Sequence, residues 1–386
     1  MRPHIVIAGL CALVAGTLAA EPLVPADDRV VEVLPADPAQ SAALRAERAR
    51  LAQDPTDLTA AIRLAAAYAD LGRRRADPRY DGYAEAALAP WWDLPTPPVA
   101  VLLLRATLAQ RRHDFEAALT DLDRVLARRP DHPQAWLGKA LILALRGEAD
   151  AARAACARLG FDRLIVAACG ASVARTTADA ADAYQALADE LDKSPPDRPD
   201  ILVWTRTLLA ELAGQLGDPA AAEQFFLAAL SADRDHAYTL GAYADLLLDQ
   251  GRAEEVRDRL QDRDAVDPLL LRLAIAEERL GDPARARHVA MLASRFETAG
   301  RRGDVVHRRE EARFALTLLG KPQRALDLAL ANVAVQREPA DLRLVLEAAL
   351  AAGRPEAARP VLAWLERSGL VDPQIDALRA RLTEPS

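Results

Sequence analysis

The run Asp114-Phe115-Glu116-Ala117-Ala118-Leu119-Thr120-Asp121-Leu122 leads to Arg129-Pro130-Asp131-His132-Pro133. It continues through Ala135-Trp136-Leu137-Gly138-Lys139-Ala140 to Arg146-Gly147-Glu148-Ala149-Asp150-Ala151-Ala152. This reads as a helix ending at a proline, a helix opening near Trp136, and a turn at Gly147 into a third helix. The same turn recurs at Leu71-Gly72, Leu216-Gly217-Asp218-Pro219, Gln250-Gly251-Arg252, Leu280-Gly281-Asp282-Pro283, Leu319-Gly320-Lys321-Pro322 and Ala352-Gly353-Arg354-Pro355. His113 and the neighbourhood of Arg175 fill two further places without a glycine. Successive turns then stand 41, 34, 28, 42, 34, 30, 39 and 33 residues apart. A fixed period near this length marks a chain built from one repeated supersecondary unit.

The turn chemistry agrees with that frame. Glycine at the end of a first helix supplies a left-handed cap, and a proline two places later costs nothing in the first turn of the next helix. Ala140, Ala210, Ala244 and Ala274 lie seven before their turn glycine, and Ala152, Ala222, Ala286, Ala325 and Ala358 lie five after theirs. Two helices cross closely only where neither carries a large side chain, so these alanines are expected at buried crossings. Tyr184, Phe226, Leu260 and Leu362 are expected to fill the space between neighbouring hairpins.

The quoted residues resemble the tetratricopeptide repeat, a 34-residue helix–turn–helix with Trp, Leu, Gly, Tyr, Ala, an aromatic and Pro at set places. The resemblance implies an all-α fold, an α/α superhelix of about nine helical hairpins from Ser41 to Leu382. Leu71 to Leu164 also resembles a group of exported bacterial proteins of this repeat class without assigned activity. That likeness is carried by Asp77-Pro78-Arg79-Tyr80, Gly82-Tyr83-Ala84, Pro90-Trp91-Trp92, Leu102-Leu103-Leu104-Arg105-Ala106, His113-Asp114-Phe115 and Cys156. It implies secretion and the fold, and brings no mechanism.

Composition bounds the same answer. The 386 residues are 51% apolar and only 4% aromatic, and alanine supplies roughly a fifth of them. Strands draw on aromatic and β-branched residues, whereas Ala, Leu, Arg, Gln and Glu lead the helix scale. The length would fit two or three globular domains, but one continuous superhelix accounts for it. A net charge of −8 with interspersed signs argues against a nucleic-acid partner. Arginine supplies nearly all the cations, as in products of GC-rich bacterial genomes.

Arg2 followed by the uncharged apolar run Ile5–Ala20 and the small-residue exit Thr17-Leu18-Ala19-Ala20 reads as a secretory signal peptide, cleaved after Ala19 or Ala20. Retention as an anchor is the alternative. Residues 21–40 are expected as a short extended segment, 41–193 as an N-terminal repeat block, 194–199 as a proline-rich joint, and 200–386 as a C-terminal block continuous with the first. Export places the chain in the periplasm of a Gram-negative bacterium. Removing Cys11 with the leader leaves Cys156 and Cys169, thirteen apart across the break at Leu159-Gly160-Phe161. An oxidising compartment favours a disulfide between them; two small buried hydrophobes are the alternative.

No metal, nucleotide or redox signature occurs, and the six histidines are scattered singly. Gly170-Ala171-Ser172-Val173-Ala174 lacks the second glycine of a nucleophile elbow and lies on a helical pattern. Asp121 and Asp123 point in different directions. The expectation is a non-catalytic scaffold without cofactor or metal, binding a protein or peptide in its concave groove. Groove positions in this frame are Gln110, Arg111, Gln134, Trp204, Glu211, Tyr238, Asp245, Asp249 and Arg279. A second candidate surface follows Gly72, where the helix is expected to end before an insertion bearing Tyr80 and Tyr83, and the next helix to end at Pro90 before Trp91 and Trp92. That region could serve a peptide or carbohydrate, or its aromatics could plug a shortened repeat. A structural subunit of an envelope assembly or export machine is a further alternative.

Overall fold

The computed structural model describes residues 42–160, 162–301 and 306–383. The apolar leader at 1–20, Cys11 and the segment 21–40 lie outside them. Helix α1 (Ala42–Gln53) precedes nine antiparallel hairpins among the described residues. The first five pair α2 (Leu58–Arg75) with α3 (Arg79–Trp92), α4 (Val99–Arg111) with α5 (Phe115–Arg128), α6 (Pro133–Leu145) with α7 (Ala149–Cys156), α8 (Arg163–Ala174) with α9 (Ala180–Lys193), and α10 (Pro199–Gln215) with α11 (Pro219–Ala232). The next three pair α12 (Ala237–Asp249) with α13 (Ala253–Leu260), α14 (Asp267–Leu280) with α15 (Arg285–Arg301), and α16 (Arg308–Thr317) with α17 (Pro322–Val333). The ninth pairs α18 (Pro339–Ala351) with a 3-10 turn (Pro355–Ala358) that runs into α19 (Arg359–Ser368). α20 (Pro373–Thr383) packs on α18.

Each first helix touches the first helices on either side, forming an inner layer, and the second helices form an outer one. Asp57 and Asp162 at the start of the first helices α2 and α8, and Asp114 and Asp218 at the start of the second helices α5 and α11, accept hydrogen bonds from backbone N–H groups of the helix they open. Those side chains satisfy donors that a helix N-terminus leaves orphaned. Between α10 and α11, Gly217 takes φ 83 and Pro219 opens the next helix. His113 takes φ 58 at the glycine-free turn after α4.

Alanine fills the crossings as the spacing requires. Ala140, Ala152, Ala210, Ala222, Ala244, Ala274, Ala325 and Ala358 are buried. Ala286 departs from the pattern and is exposed, because α15 starts only at Arg285, after a turn in which Asp282 accepts from the Ala284 amide. A buried His288–Glu277 pair, 2.8 Å apart, joins α15 to α14 instead. Phe226 and Leu260 are buried between hairpins; Tyr184 and Leu362 are half-buried. The proline-rich joint is an ordinary inter-hairpin connection, with Pro199 already in the first turn of α10.

Two expected breaks near the N-terminus are absent. α2 runs through Gly72 to Arg75, and Ala76 at φ 50 takes the left-handed cap. Gly72 serves a close approach: a Cβ there would meet Arg111 Nη2 at 3.0 Å and Asp81 Oδ1 at 3.1 Å. α3 likewise continues through Pro90 to Trp92. Arg105 donates to the Trp92 carbonyl and stacks 5.3 Å from the Trp92 ring centroid, satisfying an acceptor at the helix end.

The superhelix coils back on itself. The Arg337 amide donates to the Leu145 carbonyl at 2.7 Å, and its guanidinium reaches the Arg146 carbonyl. Arg73 meets His236 Nε2 at 2.9 Å. Gln215 bridges the Arg175 and Val371 carbonyls at 2.9 and 3.0 Å. The ends of early first helices therefore lie against hairpins remote in sequence.

Candidate partner-binding site

The concave layer is divided by this coiling. Over α10, α12 and α14 the charged side chains already have partners from the same chain. Glu211 accepts from Arg175 at 3.2 Å and from the Tyr238 hydroxyl at 2.6 Å. Arg175 continues to Glu338 at 3.4 Å, and Arg309 donates to the same carboxylate at 2.7 Å. Asp245 lies between Arg272 at 2.6 Å and Arg313 at 2.5 Å. Asp249 accepts both arms of the Arg343 guanidinium, at 2.7 and 2.8 Å, and the Gln374 amide at 3.3 Å.

The electrostatics follow from those partners. Burial opposes ionisation of Asp245, but Arg272 and Arg313 hold its carboxyl down to about 2. Burial pushes Glu211 up against the pull of Arg175, and pushes the Tyr238 phenol well above its ordinary range with Glu211 adding to it. Asp341, wholly buried beside Glu338 at the start of α18, is raised by burial and by that neighbouring charge. Glu338 stays ionised because Arg309 and Arg175 outweigh its burial. Buried charges need such pairing to persist.

The stretch over α4 and α6 is different. Leu103, Ala106, Thr107 and Gln110 of α4, Leu122 of α5, and Gln134, Leu137, Gly138 and Leu141 of α6 line an open groove of about 160 Å³. The floor is apolar and no charged residue lines it. The Gln110 and Gln134 amides offer both donors and acceptors. An extended chain presents N–H and C=O groups alternately with side chains, and this arrangement suits it: amides for the backbone, leucines for one or two apolar side chains.

The expected groove residues thus separate. Gln110 and Gln134 share the open strip. Arg111 is paired with Asp81 at 2.8 Å. Trp204 is half-buried against the core of α8–α10, and Arg279 is exposed and donates to the Leu248 carbonyl. Glu211, Tyr238, Asp245 and Asp249 lie in the covered stretch. Tyr80 is buried, with ring centroids 6.1 Å from Tyr68 and 5.9 Å from Tyr83. Trp91 and Trp92 are half-buried against the same core, and Tyr83 is the exposed ring of that set, 47% accessible. This aromatic group sits largely on α3, an outer helix, away from the strip.

Sequence reasoning missed the strip's floor, although Leu103–Thr107–Gln110 and Gln134–Leu137–Leu141 carry the three-and-four spacing of one helix face. It gave no signal for Arg175–Glu338, whose members are 163 residues apart. Cys156 and Cys169 are bonded, their Cα atoms 5.8 Å apart, joining α7 to α8 directly beyond the strip. No described helix is long and apolar enough to cross a membrane.

Residues 103–162 match the family model of the tetratricopeptide repeat, a segment that contains every residue lining the strip. No curated protein matches the sequence. Among solved structures, the chain superposes on the crystal structure of the APC/C hetero-tetramer Cut9–Hcn1 with a TM-score of 0.50 at 13% identity, covering 85% of this chain and 64% of that one. It spans less than two thirds of that protein, and at this identity the likeness is one of fold. The P58(IPK) TPR domain aligns at 18% identity and a TM-score of 0.24, over 85% of this chain and 97% of that one. A tetratricopeptide repeat protein from Parabacteroides merdae ATCC 43184 aligns at 16% identity and a TM-score of 0.27, over 84% and 99%.

Proposed function

We propose that this tetratricopeptide-repeat chain is an exported, non-catalytic scaffold of the bacterial cell envelope that holds an extended segment of a protein partner on the strip between α4 and α6. The open, uncharged, glutamine-flanked strip carries the reading. Repeat solenoids present their concave faces to partners, and here this is a stretch of that face not filled by the chain itself. Backbone pairing to Gln110 and Gln134 would set register; Leu103, Leu137 and Leu141 would receive apolar side chains. Export is supported by the apolar N-terminal run and by the Cys156–Cys169 bond, since disulfides persist in oxidising compartments.

Crosslinking in intact cells followed by isolation of the envelope fraction tests the binding. Leu137→Asp is expected to lower recovery of the crosslinked partner by about tenfold with helical circular dichroism intact. The Gln110→Ala/Gln134→Ala pair, which removes no core contact, should lower it severalfold. Equal recovery with both variants would sink the strip as the binding site. Mature protein beginning at Ala20 or Glu21 in a periplasmic extract is expected; a cytoplasmic chain retaining Met1 would sink export.

A further inference from the structure

Hairpins of a solenoid need only their neighbours in order to fold. Those neighbour contacts rest here on a continuous apolar core of alanine crossings, leucine layers and pairs such as Phe226–Tyr243 and Phe296–Phe314, with ion pairs such as Arg252–Glu223 and Arg272–Asp245 added to it. The contacts that close the coil are of another kind. Arg343 and Gln374 to Asp249, Arg175 to Glu338, Gln215 to the Val371 carbonyl, Arg73 to His236, and Arg337 to the end of α6 are all polar. The Asp249 contacts are exposed, and exposed ion pairs hold weakly; the others are part-buried and polar. The apolar share is small: Val335 against the core of α4–α6, Trp364 beside Gly147, Pro373 beside Gly217, and Gly369 against Ala178.

A strong ladder under a weak closure separates two events. The closure can break while each hairpin keeps its core, which is sub-global opening rather than unfolding. We infer that the coil is a clasp, in which α18, α19 and α20 lift from the ends of α6, α8, α10 and α12 with the repeats intact. Closed, the clasp engages Asp249 and Arg175 with Arg343, Gln374 and Glu338, and so withholds that stretch of the concave face from a partner. The consequence for binding rests on the scaffold reading above; the opening does not.

The Arg337 amide reports closure directly, because its acceptor, the Leu145 carbonyl, belongs to the far side of the coil. Hydrogen exchange of that amide in the full chain should be faster than that of amides inside α17 and α18. In Arg343→Ala/Gln374→Ala it should rise by about three- to tenfold, with helical circular dichroism unchanged and a larger radius of gyration in X-ray scattering. Unchanged exchange, or acceleration shared equally by amides inside α18, would overturn the clasp. A second variant guards against a local effect of the first. Gln215→Ala removes the bridge between the Arg175 and Val371 carbonyls and should likewise speed Arg337 exchange while amides inside α18 keep their protection. No change in this variant also overturns the inference. With the clasp open, the partner segment held on the strip can run on over α10 and α12, so it should bind Arg343→Ala/Gln374→Ala at least threefold more tightly than wild type; equal binding removes the withholding role. Leu137→Asp tests the strip alone, so the two readings fail separately.

Discussion

The inner faces of α4–α6 and of α10–α12 are built from the same unit, yet one presents leucines and glutamines to solvent and the other presents charges already paired. The difference arises outside both segments. Arg313, Glu338, Arg343 and Gln374 reach the second stretch because the coil brings α16, α18 and α20 over it, whereas α4 and α6 meet the returning chain only at their ends. A groove-facing position in a repeat is therefore not yet a binding position. What decides is whether the superhelix, one turn later, fills it.

Beneath both stretches the ladder is alike, and the largest expected effects lie there. Ile142→Ala under the strip and Leu247→Ala under the covered stretch each delete a wholly buried side chain. Each should cost about 2–5 kcal/mol in urea titrations followed by circular dichroism. A much smaller loss at Leu247 would mean that the clasp, rather than the ladder, holds the middle repeats.

The covalent tie between the two stretches comes next. Cys156→Ala/Cys169→Ala opens a short loop and should cost roughly 2–3 kcal/mol on the chain-entropy argument. Loss of stability in α7 and α8 by hydrogen exchange, with the Arg337 amide unaffected, would place the bond in the ladder; accelerated Arg337 exchange would tie it to closure.

The smallest effect belongs to a further contact that closes the coil, between α2 and the start of α12. Burial, then the Arg73 charge, holds the His236 imidazole down to about 4, against an ordinary 6.5. As pH falls through 6.5 toward 4, the unfolded chain takes up a proton that the folded chain does not, so stability falls over that window. The loss at pH 5 relative to pH 7 should be about 1–2 kcal/mol. Asp341 acts in the opposite direction: its raised carboxyl favours the folded state as pH falls. The His236 contribution is therefore read as the difference in pH slope between wild type and His236→Gln. Identical slopes would detach the Arg73–His236 contact from stability.

Much of the fold was legible in particular residues. Gly147, Gly217 and Gly353 mark turns because a left-handed cap is a local requirement, and eight of the nine crossing alanines are buried for an equally local steric reason. Legibility failed where a second contact outweighed the local preference. Gly72 looked like a cap, but it is a helical residue that makes room for Asp81 and Arg111. Pro90 looked like a stop, but Arg105 satisfies the end of α3 two residues later. Gln110 and Gln134 were readable as groove residues from their register; the leucines between them were hidden by their resemblance to ordinary core.

By itself, then, the sequence determined the repeated unit, the number of hairpins and the crossings that stack them, because each depends on residues within one period. The tertiary structure alone decided which part of the concave face stays open. That outcome turns on meetings such as Arg343 with Asp249 and Arg337 with Leu145, set by the small rotation each hairpin adds to the last. Small rotations accumulate over the whole array into contacts that no local spacing encodes.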